Sequence, residues 1–220
     1  MGEIRMKQLL KKHKEALQLY TWMVKEDSTD VISLFYLGTI HLQLAANIVP
    51  KSRSKILSAC EKLKRAIKFQ PHFPEAFNNW GVGLSMLAGF DGRNSRTLFL
   101  QAIKKFLKAI KLRPSYHEAL ENLKELVKCY NSKNINKKKN QYKIAVQISI
   151  NSEDFFTEDG AYDLACIFAI GRGMEKRCWY WLKVGEKAGT LPTRRKAMKD
   201  ENLISVRDKS WFKAIRWKGE

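Results

Sequence analysis

The chain has 220 residues, 45% of them hydrophobic, and only five prolines and twelve glycines interrupt it; that is enough apolar material for one large or two small packed domains, and it excludes disorder over most of the length. The net charge of +19 favours encounters with nucleic acid, an anionic membrane or an acidic protein without choosing among them, and lysines outnumber arginines about two to one, which weakens the case for a base-reading protein built on arginine forks. The four cysteines, Cys60, Cys129, Cys166 and Cys178, lie far apart with no C-x-x-C pair, so the spacing supports neither a disulfide framework nor a zinc site and points to a reducing compartment, the cytoplasm or an organelle interior.

The first stretch, MGEIRMKQLLKKHKEALQLY, mixes acids and bases and lacks the apolar core of a secretory leader. Residues 1–28 are expected to form the N-terminal helix of a partial repeat. Residues 31–49, VISLFYLGTIHLQLAANIV, run for 19 residues without a charge, about the length of a membrane-spanning helix. Ser33, Thr39, His41, Gln43 and Asn47 interrupt that run, so a buried helix is expected here and no transmembrane segment.

From residue 29 the chain repeats itself. AIKFQPHFPEAFNNW, starting at Ala66, and AIKLRPSYHEALENL, starting at Ala109, agree at seven of fifteen positions with an offset of 43. The same offset pairs Gly38 with Gly81, Ala59 with Ala102, Pro71 with Pro114 and Leu63 with Phe106, and it reaches back from Ala59 to Ala16 and from Leu63 to Tyr20. A fixed period of this size is the signature of stacked repeats. Each period holds two amphipathic helices. Phe77, Trp80, Leu84 and Leu87 mark one face of the first, and Leu98, Ala102, Phe106 and Ala109 mark one stripe of the second, with lysines opposite. Pro71 and Pro114 end the second helices, because the residue before a proline is pushed out of helical geometry.

The pattern is expected over residues 29–131 and weakens after Asn122, where Lys124 stands in the place of Gly81. Residues 132–158 read as a basic loop, with Lys137, Lys138 and Lys139, and an irregular hairpin in which IAVQISINS alternates like a strand. Residues 159–220 read as a last repeat, with a turn at Gly171 and Gly173, followed by a tail whose apolar anchors are Leu203, Val206, Trp211 and Phe212.

The succession of Gly, Ala, Phe or Leu, Ala and Pro resembles the tetratricopeptide repeat (TPR). The family's usual unit of about 34 residues is stretched by nine here, so both helices of each hairpin are expected to be long. The resemblance implies an all-α, right-handed superhelix of helix-turn-helix hairpins with a C-terminal cap resembling that of bacterial members. It also implies a concave groove lined by the first helix of each repeat. Carried over position by position, the groove residues are Ile32, Phe35, Thr39 and Leu42, then Glu75, Asn78, Asn79, Val82 and Ser85, then Glu118, Glu121, Asn122, Glu125 and Lys128. That places apolar residues at one end and acids at the other, which suits a peptide with an apolar anchor followed by basic residues. The family's carboxylate-clamp subtype does not fit, because Thr39 and Glu118 occupy places where its Lys and Asn side chains belong.

Opposite the groove, Lys62, Lys64, Arg65 and Lys68 recur as Lys104, Lys105, Lys108 and Lys111, and Arg194 and Arg195 add to the basic surface near the tail. With Trp179, Trp211 and Trp217 available for stacking, RNA association through these lysine ridges is the alternative to a protein partner. The helix start HEALE, from His117, lacks the second histidine of a zinc-protease helix, and GVG and GRG lack the residues of a phosphate loop. No cofactor, metal or catalytic function is expected. The reading is a non-catalytic scaffold or adaptor with a protein partner in its groove.

Overall fold

A computed structural model describes residues 2–47, 52–90, 95–133, 160–170 and 174–219. The described residues contain ten α-helices and no strand. They are α1 (Gly2–Glu26), α2 (Val31–Asn47), α3 (Arg53–Phe69), α4 (Pro74–Phe90), α5 (Ser95–Leu112), α6 (His117–Lys133), α7 (Ala161–Ile170), α8 (Glu175–Ala188), α9 (Arg194–Lys199) and α10 (Ser210–Lys213). The chain forms two compact units, residues 1–112 and 113–220. The break falls between α5 and α6, next to Pro114, inside the stretch that the sequence joins into one array.

The 43-residue period is written into the helix boundaries. The first helices of the repeats start at Val31, Pro74 and His117, and the helices before them end at Glu26, Phe69 and Leu112; each series steps by 43. α2, α4 and α6 each have 17 residues, α3 has 17 and α5 has 18, well above the usual helix of about 11–12 residues. The nine extra residues of the period therefore lengthen the helices. The proline ends each second helix at the same depth: the N–H of Gln70, just before Pro71, still donates to Ala66 O at 2.8 Å, and no helical turn follows.

In the N-terminal unit α1 packs on α2, α2 on α3, α3 on α4 and α4 on α5, and α2 also touches α4. Within each hairpin the glycine stands where a side chain has no room. A Cβ added to Gly38 would stand 2.6 Å from Leu63 Cγ, and one added to Gly81 would stand 2.7 Å from Phe106 Cε1. Ala59, Ala66, Ala102 and Ala109 are fully buried along the partner helices, where a larger side chain would hold the helices apart. α2 is apolar enough for its length to have invited a membrane reading, but Leu34, Leu37, Ile40, Leu42, Leu44 and Ala45 are buried in this core. No helix among the described residues is long and apolar enough to cross a membrane. The start of α2 is capped by Asp30, whose Oδ1 accepts from the N–H groups of Ile32 at 3.0 Å and Ser33 at 3.2 Å.

In the C-terminal unit the crossing is made differently. Lys124, the third counterpart of Gly38 and Gly81, is buried, and its Nζ donates to Asp163 Oδ1 of α7 at 2.8 Å and to Glu121 Oε1 at 2.5 Å. Burial opposes its charge, but the two carboxylates outweigh that and hold the ammonium firmly protonated. Beside it, Asp200 Oδ2 accepts from Tyr162 OH at 2.9 Å and from Cys166 Sγ at 3.6 Å, while Asp200 Oδ1 accepts from Asn202 N–H at 2.9 Å. Arg207 closes over the Asp200 carbonyl. The tail is held by Leu203, Val206, Phe212, Ile215 and Trp217, all buried. Trp211 is only half-buried, its ring set edge-on to Phe212 at 6.1 Å. The basic loop with Lys137, Lys138 and Lys139, the alternating segment IAVQISINS and the Gly171–Gly173 turn lie outside the described residues.

Two outcomes follow. Gly81→Ala should lower unfolding stability by about 1–3 kcal/mol, because the buried Phe106 ring cannot swing away, whereas Gly89→Ala should stabilise slightly, since nothing lies within 4 Å of its Cβ position; urea melts of both variants check this. Burial pushes the Asp200 carboxyl up, but the Asn202, Tyr162 and Cys166 donors and the Lys124 charge together hold it below its ordinary 3.8. A depressed carboxylate contributes stability that is full above its unfolded value and drains as pH falls through the folded one. The stability gap between wild type and Asp200→Asn should therefore be constant near neutrality and shrink below about pH 4, as read by urea melts across pH.

Candidate functional site

Among the described residues, an open apolar surface built jointly by two first helices of the repeat lies on α2 and α4. On α2, Ile32 and Tyr36 are one turn apart and 52% and 42% exposed. The Tyr36 ring stacks on Tyr20 of α1 at 5.0 Å, and meets Phe35 edge-on at 5.3 Å. Phe35 in turn packs against Phe73, at the entry to α4, at 4.8 Å. The result is a row of rings, Tyr20, Tyr36, Phe35 and Phe73, in which Phe35 and Phe73 pack against the hydrophobic core and Tyr36 is exposed.

Next to this row the two helices are pinned by a polar contact. Asn79 Nδ2 donates to Thr39 Oγ1 at 2.9 Å, and Thr39 Oγ1 donates to Phe35 O at 2.9 Å. Val82 and Ser85 continue the wall one and two turns along α4, half-buried, with the Ser85 hydroxyl donating to Val82 O at 2.7 Å. Glu75 sits in the first turn of α4, half-buried, where a carboxylate is favoured by the helix N-terminus.

The expected groove residues thus divide. Ile32, Phe35, Thr39, Asn79, Val82 and Ser85 border one surface. Leu42 is buried, and Asn78 is fully buried at 0% exposure with its Nδ2 3.3 Å from Asn79 Oδ1; both belong to the interior, a correction to their placement on an open wall. Asn78 and Asn79 are adjacent in the helix, and 100° of rotation puts one inside and the other out. Glu118, Glu121 and Glu125 are exposed on α6 in the other compact unit, Asn122 half-buried among them. Glu121 pairs with Lys124, Glu125 with Lys128 at 3.1 Å, and Glu118 accepts from Tyr116 OH at 3.4 Å. Tyr36 and Phe73 escaped the sequence reading. They fall outside the family's groove positions, and only their contact with Phe35 and Tyr20 makes them part of the surface.

The basic residues are likewise only partly free. Lys105 Nζ lies 3.6 Å above the Trp80 ring and 5.9 Å from the Phe77 ring; burial first, and then Lys104 and Lys64, lower its pKa. Lys108 reaches the Phe77 ring at 6.0 Å and Lys68 the Phe69 ring at 5.9 Å. Arg65 Nη2 donates to Ser28 O at 2.6 Å and Arg194 Nη2 to Lys213 O and Ile215 O at 3.2 and 3.4 Å, so both arginines tie chain segments together. Lys62 is half-buried, whereas Lys64, Lys104, Lys108, Lys111 and Arg195 are exposed. Of the three tryptophans offered for stacking, Trp217 is buried in the tail, which removes it from any base-binding surface.

Three of the four thiols serve packing. Burial pushes Cys60 up to about 11 and Cys178 up to about 12, and holds Cys166 well above the ordinary value, the reverse of what a nucleophilic cysteine requires. No group of three or more His, Cys, Asp or Glu that could hold a metal ion occurs among the described residues.

No protein-family model matches the chain, and no curated protein matches it. Among solved structures, a thermophilic TPR protein of Thermus thermophilus is similar over 90% of each chain, with 18% identity and a TM-score of 0.46. The helix boundaries in steps of 43, the α2–α4 contact and the Gly–Leu and Gly–Phe crossings are the chain's own structural marks, and by them it is an all-α helical-repeat protein.

Proposed function

We propose that the protein is a non-catalytic scaffold that seats an apolar anchor of a partner protein on the aromatic row of α2 and α4. The observation that carries this reading is the exposure of Ile32 and Tyr36 directly beside the half-buried Phe35 and Phe73. Two large apolar side chains left in water next to a ring-lined floor are poised to gain on being covered, at about 25 cal/mol per Å² of apolar area. The Thr39–Asn79 bond fixes the spacing of the two helices before anything binds, so less ordering entropy is lost on association. Glu75 at the head of α4 suits a basic residue beside the anchor. Within such a partner, the anchor side chain carries most of the affinity and its basic neighbours set orientation.

The test is selection from a random peptide library on the folded full-length protein, followed by titration against wild type and Ile32→Ser/Tyr36→Ser. Both side chains are exposed, so the variant's circular dichroism should match wild type. Selected peptides should share a large apolar residue, bind the variant about tenfold or more weakly, and show a shallow dependence on salt. Peptides that bind the variant as well as wild type, and that are lost instead with added salt or on Lys64→Glu/Lys104→Glu, would move the binding surface to the lysine ridge.

A further inference from the structure

The first helix carries a second uncovered surface, separate from the aromatic row. Its inner face is occupied: Tyr20 stacks on Tyr36, and Met23 Sδ accepts from Ser33 Oγ at 3.5 Å. On the outer face Lys12, Glu15, Leu19, Trp22 and Glu26 follow one another at steps of three and four, and all five are exposed. Leu19 and Trp22 are 53% and 59% exposed, an unusual position for a tryptophan on a water-facing helix.

The repeat shows what this face ordinarily does. Forty-three residues on from Leu19 and Trp22 stand Lys62 and Arg65, and after another 43 stand Lys105 and Lys108. In α5 those two lysines bend over Phe77 and Trp80 of α4. In α1 the lysine and arginine positions of the later repeats are held by leucine and tryptophan, and the described chain lays nothing on them.

We propose that this face of α1 binds the same face of a second copy of the chain, with the two helices antiparallel about a two-fold axis at Leu19. The charges choose the occupant and its direction. Lys12 lies seven residues before Leu19 and Glu26 seven after it, so in the antiparallel pair Lys12 meets the partner's Glu26 and Glu26 meets the partner's Lys12. Among the described residues neither side chain has an ion-pair partner in its own chain, whereas the neighbouring Lys11 already pairs with Glu15 at 3.9 Å. A parallel pair would set Lys12 against the partner's Lys12 and Glu26 against the partner's Glu26, which repels at both ends. Three residues after Leu19, Trp22 falls opposite the partner's Ala16, three before it, where a small side chain leaves room for the indole. Two apolar residues per chain make a small interface, so the association is reversible and concentration-dependent.

Sedimentation velocity of the full chain, from low to high micromolar concentration, tests this with exposed-residue variants whose folding is confirmed by circular dichroism. Wild type should pass from monomer to dimer over the series, and Trp22→Ser should stay monomeric. Lys12→Glu and Glu26→Lys should each weaken self-association by about tenfold, since each sets two like-charge contacts across the axis. Mixed one to one, the two reversed chains should dimerise again, because every cross-pair is then opposite in sign. A wild type that stays monomeric throughout, or a mixture that associates no better than either reversed chain alone, overturns the proposal.

Discussion

Each hairpin of the N-terminal unit depends on one absent atom. Where α2 meets α3 and where α4 meets α5, the glycine's missing Cβ is the space that Leu63 and Phe106 occupy. The alanines on the opposite helix, Ala59, Ala66, Ala102 and Ala109, are fully buried along the same contacts. With those approaches fixed, α2 and α4 are brought side by side, and the Thr39–Asn79 bond and the Phe35–Phe73 contact become possible. The aromatic row is therefore a consequence of hairpin packing. Phe35 and Phe73 form its floor on the core, and Ile32 and Tyr36 form its exposed rim.

Helix ends and crossings were legible in the sequence because repetition supplies an internal alignment. The prolines at 71 and 114 and the glycines at 38 and 81 recur with the period, and the helix boundaries follow it. Exposure was less legible. Asn78 and Asn79 have the same chemistry and adjacent positions, yet one is interior and the other faces Thr39. Tyr36 and Phe73 became visible only through their neighbours, since ring stacking is a property of where helices end up. In the tail, Leu203, Val206 and Phe212 could be read as anchors, but Ile215 and Trp217, which are as deeply buried, follow no period that would mark them.

Lys124 shows how the pattern can break without the packing failing. A lysine at the third crossing position would be intolerable against a ring such as Phe106. Opposite α7, the lysine finds Asp163 and its own neighbour Glu121, so the buried charge is paired and hydrogen-bonded rather than stranded. The cluster of Tyr162, Cys166 and Asp200 extends that polar contact to the tail. A few basic residues are placed as simply elsewhere: the Lys105 and Lys108 ammonium groups lie over the Trp80 and Phe77 rings, and Arg65 and Arg194 clasp backbone carbonyls.

The measurement that tests the dependence on the glycine crossing most directly is a double-mutant cycle between residues 81 and 106, read by urea unfolding. Phe106→Ala removes the ring whose atoms a Cβ at position 81 would strike. In that background Gly81→Ala should change sign, from destabilising to neutral or stabilising, because only the helix preference for alanine over glycine remains. If Gly81→Ala costs the same stability whether or not the Phe106 ring is present, the crossing is not what the hairpin rests on.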